Sequence, residues 1–386
     1  MVKLLIAGDF CMYNRMQHLC SNEIVASMSS VIPYIDDSDY SILNLECSVF
    51  NGNFKPIVKC GANLHNSPES IKAIKNLGFN GVTLANNHFA DFGTEAVGET
   101  ILFLEKLHVD YYGGGRNFKE ASQVKYIEIN KKKIAIINYC EHEYTYATET
   151  KGGANPLDLI NVYEDIQVAS KISDYIIVIV HGGSEHYELP TPRMQRWYRF
   201  FVDIGADAVI NHHQHCYSGY EFYKSKPIVY GLGNFCFDWE GYRQSSWNEG
   251  YILQLYLDKE IQINLIPYIQ CDENVGTYII KDRTKFDVHI GELSRYISDT
   301  NILNKKYDEF IETKLQEYLY IFHHPQNKII RRIANKGLLS NKLISELCPI
   351  PLYKDKNKLL TLLSYFQCES HHDIMTLLLN KLKKEL

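Results

Sequence analysis

The sequence predicts an α/β fold with largely parallel strands and a polar site at their carboxyl ends. Three observations predict it. Strand-like and helix-like segments alternate through the first half of the chain, the pattern of a mainly parallel sheet. Five apolar runs, Leu4–Ala7, Tyr40–Leu43, Gly81–Leu84, Tyr175–Val180 and Ala208–Ile210, each lead into a polar motif. These motifs are Gly8-Asp9, Asn44-Leu45-Glu46, Asn86-Asn87-His88, His181-Gly182-Gly183-Ser184-Glu185 and Asn211-His212-His213-Gln214-His215. Open α/β sheets hold ligands beyond the carboxyl ends of their strands, so five such ends can converge on one site. The third observation is the donor set: Asp, Glu, Asn and His form a mixed oxygen and nitrogen shell suited to Mn, Fe or Zn.

Taken in order, Ser67-Pro68-Glu69 opens a helix. Ser is a capping residue, Pro fits the first turn, and Glu meets the positive helix end. Ile71, Ile74 and Leu77 share a face of that helix, and Gly78 ends it. A second helix follows Asp91-Phe92-Gly93, with Ile101, Leu104 and Leu107 at helical spacing. Ile134–Ile137 reads as a buried strand, and Thr191–Ile204 as a helix closed by Gly205. Pro227–Tyr230 is a strand that enters the loop Gly231-Leu232-Gly233-Asn234-Phe235. Tyr251–Leu257 and Ile261–Ile269 form a hairpin joined at Asp258-Lys259-Glu260. Beyond Asp287 the chain reads as helices rich in Leu, Lys and Tyr, broken near Pro325 and at Pro349 and Pro351. Regular internal repeats are absent, which excludes a solenoid.

The 386 residues suffice for one large domain and an appendage, and 45% apolar with 22% charged content is ordinary for a soluble globular chain. From Asn301 onward 14 Lys or Arg stand against 9 Asp or Glu, whereas the whole chain carries −6. That asymmetry marks the last part as a separate unit, and the expected division is 1–286 for the main domain and 287–386 for a basic helical extension. The acidic main body argues against nonspecific nucleic-acid binding. The apolar start runs directly into Asp9 without a basic leader, and no run approaches the roughly 18 residues of a membrane span. Ten scattered cysteines without a C-x-x-C pair fit a reduced cytoplasm, which is the expected location.

Asp9 and Glu46 are acceptor-only anions able to hold a divalent cation, and either can bridge two. The Asn87 amide oxygen is a neutral ligand, while the adjacent His88 can aim at a leaving group. In an extended segment His213 and His215 would point to one side and feed one or two metals. Taken singly, each residue has an ordinary structural explanation; five strand ends of the same type favour a shared metal site.

These motifs in series, with Asp91, Gly93 and Glu185, resemble those of the CapA-type capsule synthesis proteins over about residues 1–240. Gly114-Gly115-Arg116-Asn117 and Tyr230-Gly231-Leu232-Gly233-Asn234-Phe235 add to the resemblance. That family is similar to the calcineurin-like metallophosphatases, which implies a four-layer αββα sandwich with a two-metal centre. The resemblance also implies a connection with making or exporting poly-γ-glutamate or other capsular polymers. Carried over by position, it makes Asp9 and His215 ligands of one metal and Glu46 a bridge. Asn87, His181 and His213 would hold the second metal. His88 would be the catalytic acid or an electrostatic partner, oriented by Asp91, and Arg116 and Asn234 would meet the substrate.

Two departures from the metallophosphatases matter. Cys11 stands where their first motif places a His, and Glu46 replaces their bridging Asp. Cys11, Glu185 or water would have to complete the first shell, and one metal or two remain open. The expected function is a metal-dependent hydrolase acting on a phosphoester, or less readily a γ-glutamyl amide, in an anionic small molecule or polymer. The alternative is a non-catalytic metal-containing factor that binds such a polymer and docks on a synthase through the C-terminal helices.

Overall fold

The apolar run at the start of the chain becomes the central strand of the larger of two sheets. The computed structural model describes residues 1–323 and 356–384, so the breaks expected at Pro325, Pro349 and Pro351 lie outside the described residues. Strands β1 (Val2–Cys11), β2 (Tyr40–Leu45), β3 (Gly81–Thr83) and β4 (Asp110–Tyr112) run parallel in that order. The second sheet holds β5 (Lys125–Ile129), β6 (Lys132–Cys140), β7 (Tyr175–His181), β8 (Ala208–His212), β9 (Tyr220–Tyr223) and β10 (Lys226–Val229). Its order is β9-β10-β8-β7-β6-β5, parallel from β10 to β6 with an antiparallel strand at each edge.

The chain then returns to the first sheet. Strand β11 (Asn234–Phe237) lies parallel to β1, and β12 (Glu249–Leu257) lies antiparallel to it. Strands β13 (Gln262–Gln270) and β14 (Thr277–Ile279) complete eight strands, with β12 and β13 forming the expected hairpin. The inner faces of the sheets meet where Asn44 Nδ2 approaches His181 Nδ1 at 3.2 Å and Asn138 Oδ1 accepts from Ala85 N at 2.8 Å. Helices α1 (Ser21–Ser27), α2 (Pro68–Leu77) and α3 (Gly93–Lys106) pack their apolar faces on the outside of the first sheet. Helices α4 (Leu159–Ala169) and α5 (Pro192–Asp203) cover the second. The result is the four-layer α/β sandwich, helices outside and two sheets within.

Two local expectations are corrected. Ser67 stands at the N-cap of α2, but its side chain makes no capping bond; Ser70 Oγ donates to Ser67 O instead, at 2.6 Å. The segment holding His213 and His215 is not extended: β8 stops at His212, and the two residues have φ of 92° and 57°. Non-glycine residues avoid this region unless the surroundings hold them there, and such positions cluster at functional sites.

Contacts divide the chain into Met1–Ile57 with Asn63–Asn304, and Val58–Ala62 with Lys305–Leu386. Helix α6 (Thr284–Ser298), which the sequence reading assigns to the extension, packs within the first unit through Gln195 Nε2 donating to Ile297 O at 2.7 Å. Most of α7 (Thr300–His323) lies in the second unit with α8 (Lys356–Gln367) and α9 (Glu369–Lys384). There the rings of Tyr318 and Tyr365 stack at 4.5 Å, and Lys381 pairs with Glu312 at 3.1 Å. Among the described residues no helix is long and apolar enough to cross a membrane.

Gly8 shows why the first motif needs its glycine. A Cβ there would lie 1.9 Å from Gly233 O, the carbonyl that accepts from Asp9 N at 3.3 Å. Gly8→Ala is therefore expected to destabilise the protein by about 3 kcal/mol, the upper end of overpacking costs. Chemical denaturation followed by tryptophan fluorescence checks this, and an unchanged midpoint would contradict it.

Candidate metal centre

Both sheets contribute to one buried cluster. Asp9 ends the straight part of β1 and Glu46 follows β2, whose parallel pairing brings their carboxyl ends level, while His181 ends β7 in the facing sheet. Asn44 ties them together: its Nδ2 donates to Asp9 Oδ1 at 2.7 Å, and its Oδ1 accepts from Thr83 at 3.1 Å. Asn86 does the same one strand over. Its Oδ1 accepts from Cys47 N and His88 N, both at 3.2 Å, fixing the Glu46 turn against the Asn87-His88 turn. Gly182 lets the β7 loop pass Glu141, whose Cγ would lie 2.6 Å from an added Cβ.

The six expected ligands come together in two groups. Asn87 Oδ1 and His213 Nδ1 each lie 3.1 Å from His181 Nε2. Neighbouring ligand atoms of a cation with bonds of about 2.1 Å stand about 3 Å apart, so this spacing fits a coordination shell. On the other side His215 Nε2 lies 3.8 Å from Glu46 Oε1, and His215 Nδ1 lies 3.7 Å from Asp9 Oδ2. Ligand atoms of Asp9, Glu46 and His215 all lie within 4.8 Å of one another, as do those of Glu185, His213 and His215.

The carboxyl of Glu46 is the decisive test of whether this donor set suits a cation. Glu46 is fully buried, and neither of its oxygens has a hydrogen-bond partner among the described residues. A buried carboxyl left without partners is costly unless something cationic satisfies it. Burial, and then the charge of Asp9, pushes the Glu46 pKa well above the usual range. Burial alone would also raise Asp9, but its contact with His212 outweighs that, so Asp9 is the carboxylate that stays ionised. Burial, then the His213 ring, holds His181 well below the ordinary imidazole value, leaving a neutral ring with a lone pair to donate.

His88 and Asp91 are brought together as expected, with His88 Nδ1 2.7 Å from Asp91 Oδ2, an oxygen that also accepts from Leu64 N at 2.8 Å. The two proposed substrate contacts fall elsewhere. Asn234 is fully buried; its Oδ1 faces His215 Nδ1 at 2.9 Å and its Nδ2 donates to the carbonyls of His215 and Trp247. With both amide hydrogens used, Asn234 positions His215 and its amide has nothing left to donate to a substrate. Arg116 pairs with Glu105 at 3.4 Å and Glu120 at 3.5 Å, and its described contacts do not include the cluster. Cys11 packs with Cys47, Leu64, Phe237 and Trp247, its sulfur 3.7 Å from that of Cys47, and is near enough to Glu46 to add to the rise of that carboxyl's pKa.

Two further residues belong to the cluster. His212 is buried, its Nδ1 lies 3.3 Å from Asp9 Oδ1, and neither ring nitrogen has a hydrogen-bond partner among the described residues. That contact is close enough for charge attraction but misaligned for a hydrogen bond. Its signal in the sequence is only its place beside His213. Glu185, weighed in the sequence as a filler, lies beside His213 and His215. Crowding raises its pKa, but His215 and His213, with His186 and His88, bring it down to about 2. The side chain opens to solvent, which screens and weakens that attraction.

A sequence model of the family described as "Bacterial capsule synthesis protein PGA_cap" matches residues 3–239, more than half of the chain. The chain belongs to this family. Among PGA_cap relatives, the capsule biosynthesis protein CapA of Bacillus anthracis is 33% identical over 216 residues, covering 54% of this chain and 53% of that one. The PGA biosynthesis protein CapA of Bacillus subtilis is 28% identical over 297 residues, covering 75% and 76%. The chain thus spans about half the length of the first relative and about three quarters of the second. A putative 5'-nucleotidase from Staphylococcus aureus is a structural neighbour with a TM-score of 0.42 and 14% identity, covering 77% of this chain and 58% of that one.

Every motif of the cluster falls inside the PGA_cap match. The raised pKa of Glu46 gives a sign that can be tested. In metal-free protein an acid with a raised folded pKa stabilises the fold only below its unfolded value, and the fold weakens as pH rises above about the ordinary Glu range. Glu46→Gln is therefore expected to raise the metal-free melting temperature by a few degrees at pH 7, with the gap closing toward pH 4. The same variant should lose most of the stabilisation that added Mn or Zn gives the unaltered protein. Thermal melts with and without chelator check both, and a lower metal-free melting temperature at pH 7 would contradict the assignment.

Proposed function

We propose that this PGA_cap protein is a metal-dependent hydrolase of phosphoesters in anionic small molecules or polymers, with a γ-glutamyl amide as the second choice of bond. The observation that carries the reading is Glu46, a fully buried carboxyl with both oxygens unpartnered, set against Asp9 and His215. Asp9, Glu46 and His215 would hold one divalent cation and Asn87, His181 and His213 a second, with Glu46 between them. Such a cation acts as a Lewis acid that polarises a phosphoryl or carbonyl oxygen. Mn, Fe and Zn all suit this donor set.

The chain's own residues do the rest. Asn234 holds the His215 ring by its Nδ1, which aims Nε2 at Glu46. With His88 Nδ1–H donating to Asp91, Nε2 is the nitrogen through which His88 passes a proton to a leaving group. His88 is largely buried, its side chain 13% exposed, so it meets the substrate within a sheltered mouth. The capsule and PGA biosynthesis names of the Bacillus relatives support an anionic polymer, or a phosphorylated precursor of one, as the substrate.

A second reading, a non-catalytic factor that binds the polymer and docks on a synthase, is favoured by one observation. Leu359, Leu363 and Phe366 are 46%, 43% and 70% exposed along α8 at helical spacing. Metal content separates the readings. Close to two equivalents per chain, reduced by Asp9→Ala and by His213→Ala, is the expected result for the hydrolase. One equivalent lost only with His213→Ala would favour the binding factor. In the hydrolase His88→Ala should keep its metal while turnover of a phosphoester falls about a hundredfold or more; unchanged turnover would overturn the assignment of His88.

A further inference from the structure

A second cavity lies in the first unit behind the loop that carries His215. It has a volume of about 530 Å³ and is bounded by the start of β12, the end of β13, β14 and helix α6. Three rings, Tyr217, Tyr278 and Phe286, furnish flat apolar walls. Lys281 and Lys285 stand at its edge, both exposed, and neither makes an ion pair or hydrogen bond among the described residues. Tyr268 also lines it. That side chain is fully buried, and its hydroxyl has no hydrogen-bond partner among the described residues. The hydroxyl lies against Gly250 in the cavity wall and against Gly8, since an added Cβ would meet it at 2.6 Å and 3.1 Å respectively.

Polar contacts at the cavity tie together two loops that also carry residues of the metal cluster. Tyr217, two residues after His215, has its hydroxyl 2.7 Å from His289 Nδ1 on α6. His289 Nε2 lies 3.6 Å from Glu188 Oε2, three residues after Glu185. Two of the loops that supply ligand candidates therefore meet at His289, a lining residue of the cavity. Two acids line it as well: Asp282, which caps the start of α6 by accepting from Thr284 N and Oγ1, and Glu249 at the start of β12.

We infer that this cavity is a second ligand site, separate from the metal centre, for a small anion with a flat apolar body. The two lysines take the anionic group, the three rings hold the body, and the Tyr217–His289–Glu188 contacts pass occupancy to the Glu185 and His215 loops. The inference stands whether or not the protein is a hydrolase.

The probe is 8-anilinonaphthalene-1-sulfonate, which combines both features and reports by fluorescence. The full chain is expected to bind it saturably at one equivalent. Lys281→Glu with Lys285→Glu, exposed positions that leave the core intact, should weaken binding at least tenfold. Glu249→Gln should tighten it several-fold, and neither variant should change metal content. Dye bound equally by all three proteins, or at many unsaturable sites, would overturn the inference. Occupancy should also shift the visible spectrum of cobalt-loaded protein, and Glu188→Ala, which does not line the cavity, should remove that shift while leaving dye binding in place. An unshifted spectrum with the dye bound would overturn the coupling.

Discussion

Everything about this structure turns on two carboxyl groups, Asp9 and Glu46, placed side by side where water does not reach. Each is buried, each raises the other's cost of ionisation, and the fold spends much of its polar chemistry arranging their surroundings. Asn44 donates to Asp9, Asn86 braces the backbone before Glu46 by donating to Leu45 O at 2.9 Å, the backbone of His213 donates to Asp9 at 3.3 Å, and four imidazoles close the remaining sides. Such an arrangement is expensive for a protein that needs only stability, since an apolar interior of the same volume would serve better. Its persistence is what gives the cluster a functional reading.

The backbone pays a related cost. His213, His215 and Cys47 all have positive φ, and each adjoins or belongs to the cluster. Strain of this kind survives only where neighbours over-determine it. Here the Asn234 amide grips His215 and the Trp247 ring lies 4.6 Å from its centroid, so the imidazole has little freedom to relax. The aromatic layer behind His215 thus belongs to the site as much as the imidazole does.

Much of this was legible in the sequence, for a definite reason. A strand that ends in a polar motif announces both its direction and its last inward residue, so Asp9, Glu46, Asn87, His181, His213 and His215 could be named without coordinates. Helix α2, the hairpin and the closing Gly78 followed from local rules of the same kind. What escaped depends on contacts between distant segments. His212 gains meaning only by facing Asp9 across the sandwich. The resemblance of its loop to the capsule synthesis family makes Asn234 an expected substrate contact, but the fold buries it at the start of β11 against His215. Arg116 has the chemistry for an anion and instead meets Glu105 and Glu120, partners whose proximity no spacing rule reveals.

The position of β1 sets a timetable for assembly. Its flanking partners are β2, some forty residues on, and β11 and β12, which pair through Asn234 and Leu257. At a synthesis rate of about 5–20 residues per second, the first strand waits on the order of ten seconds or more before its second neighbour exists. Until then an apolar strand has one edge unpaired, the condition that invites wrong partners. The cluster cannot form earlier either, because its ligands come from both sheets. A cation held there would therefore be taken up late, once both sheets are in place.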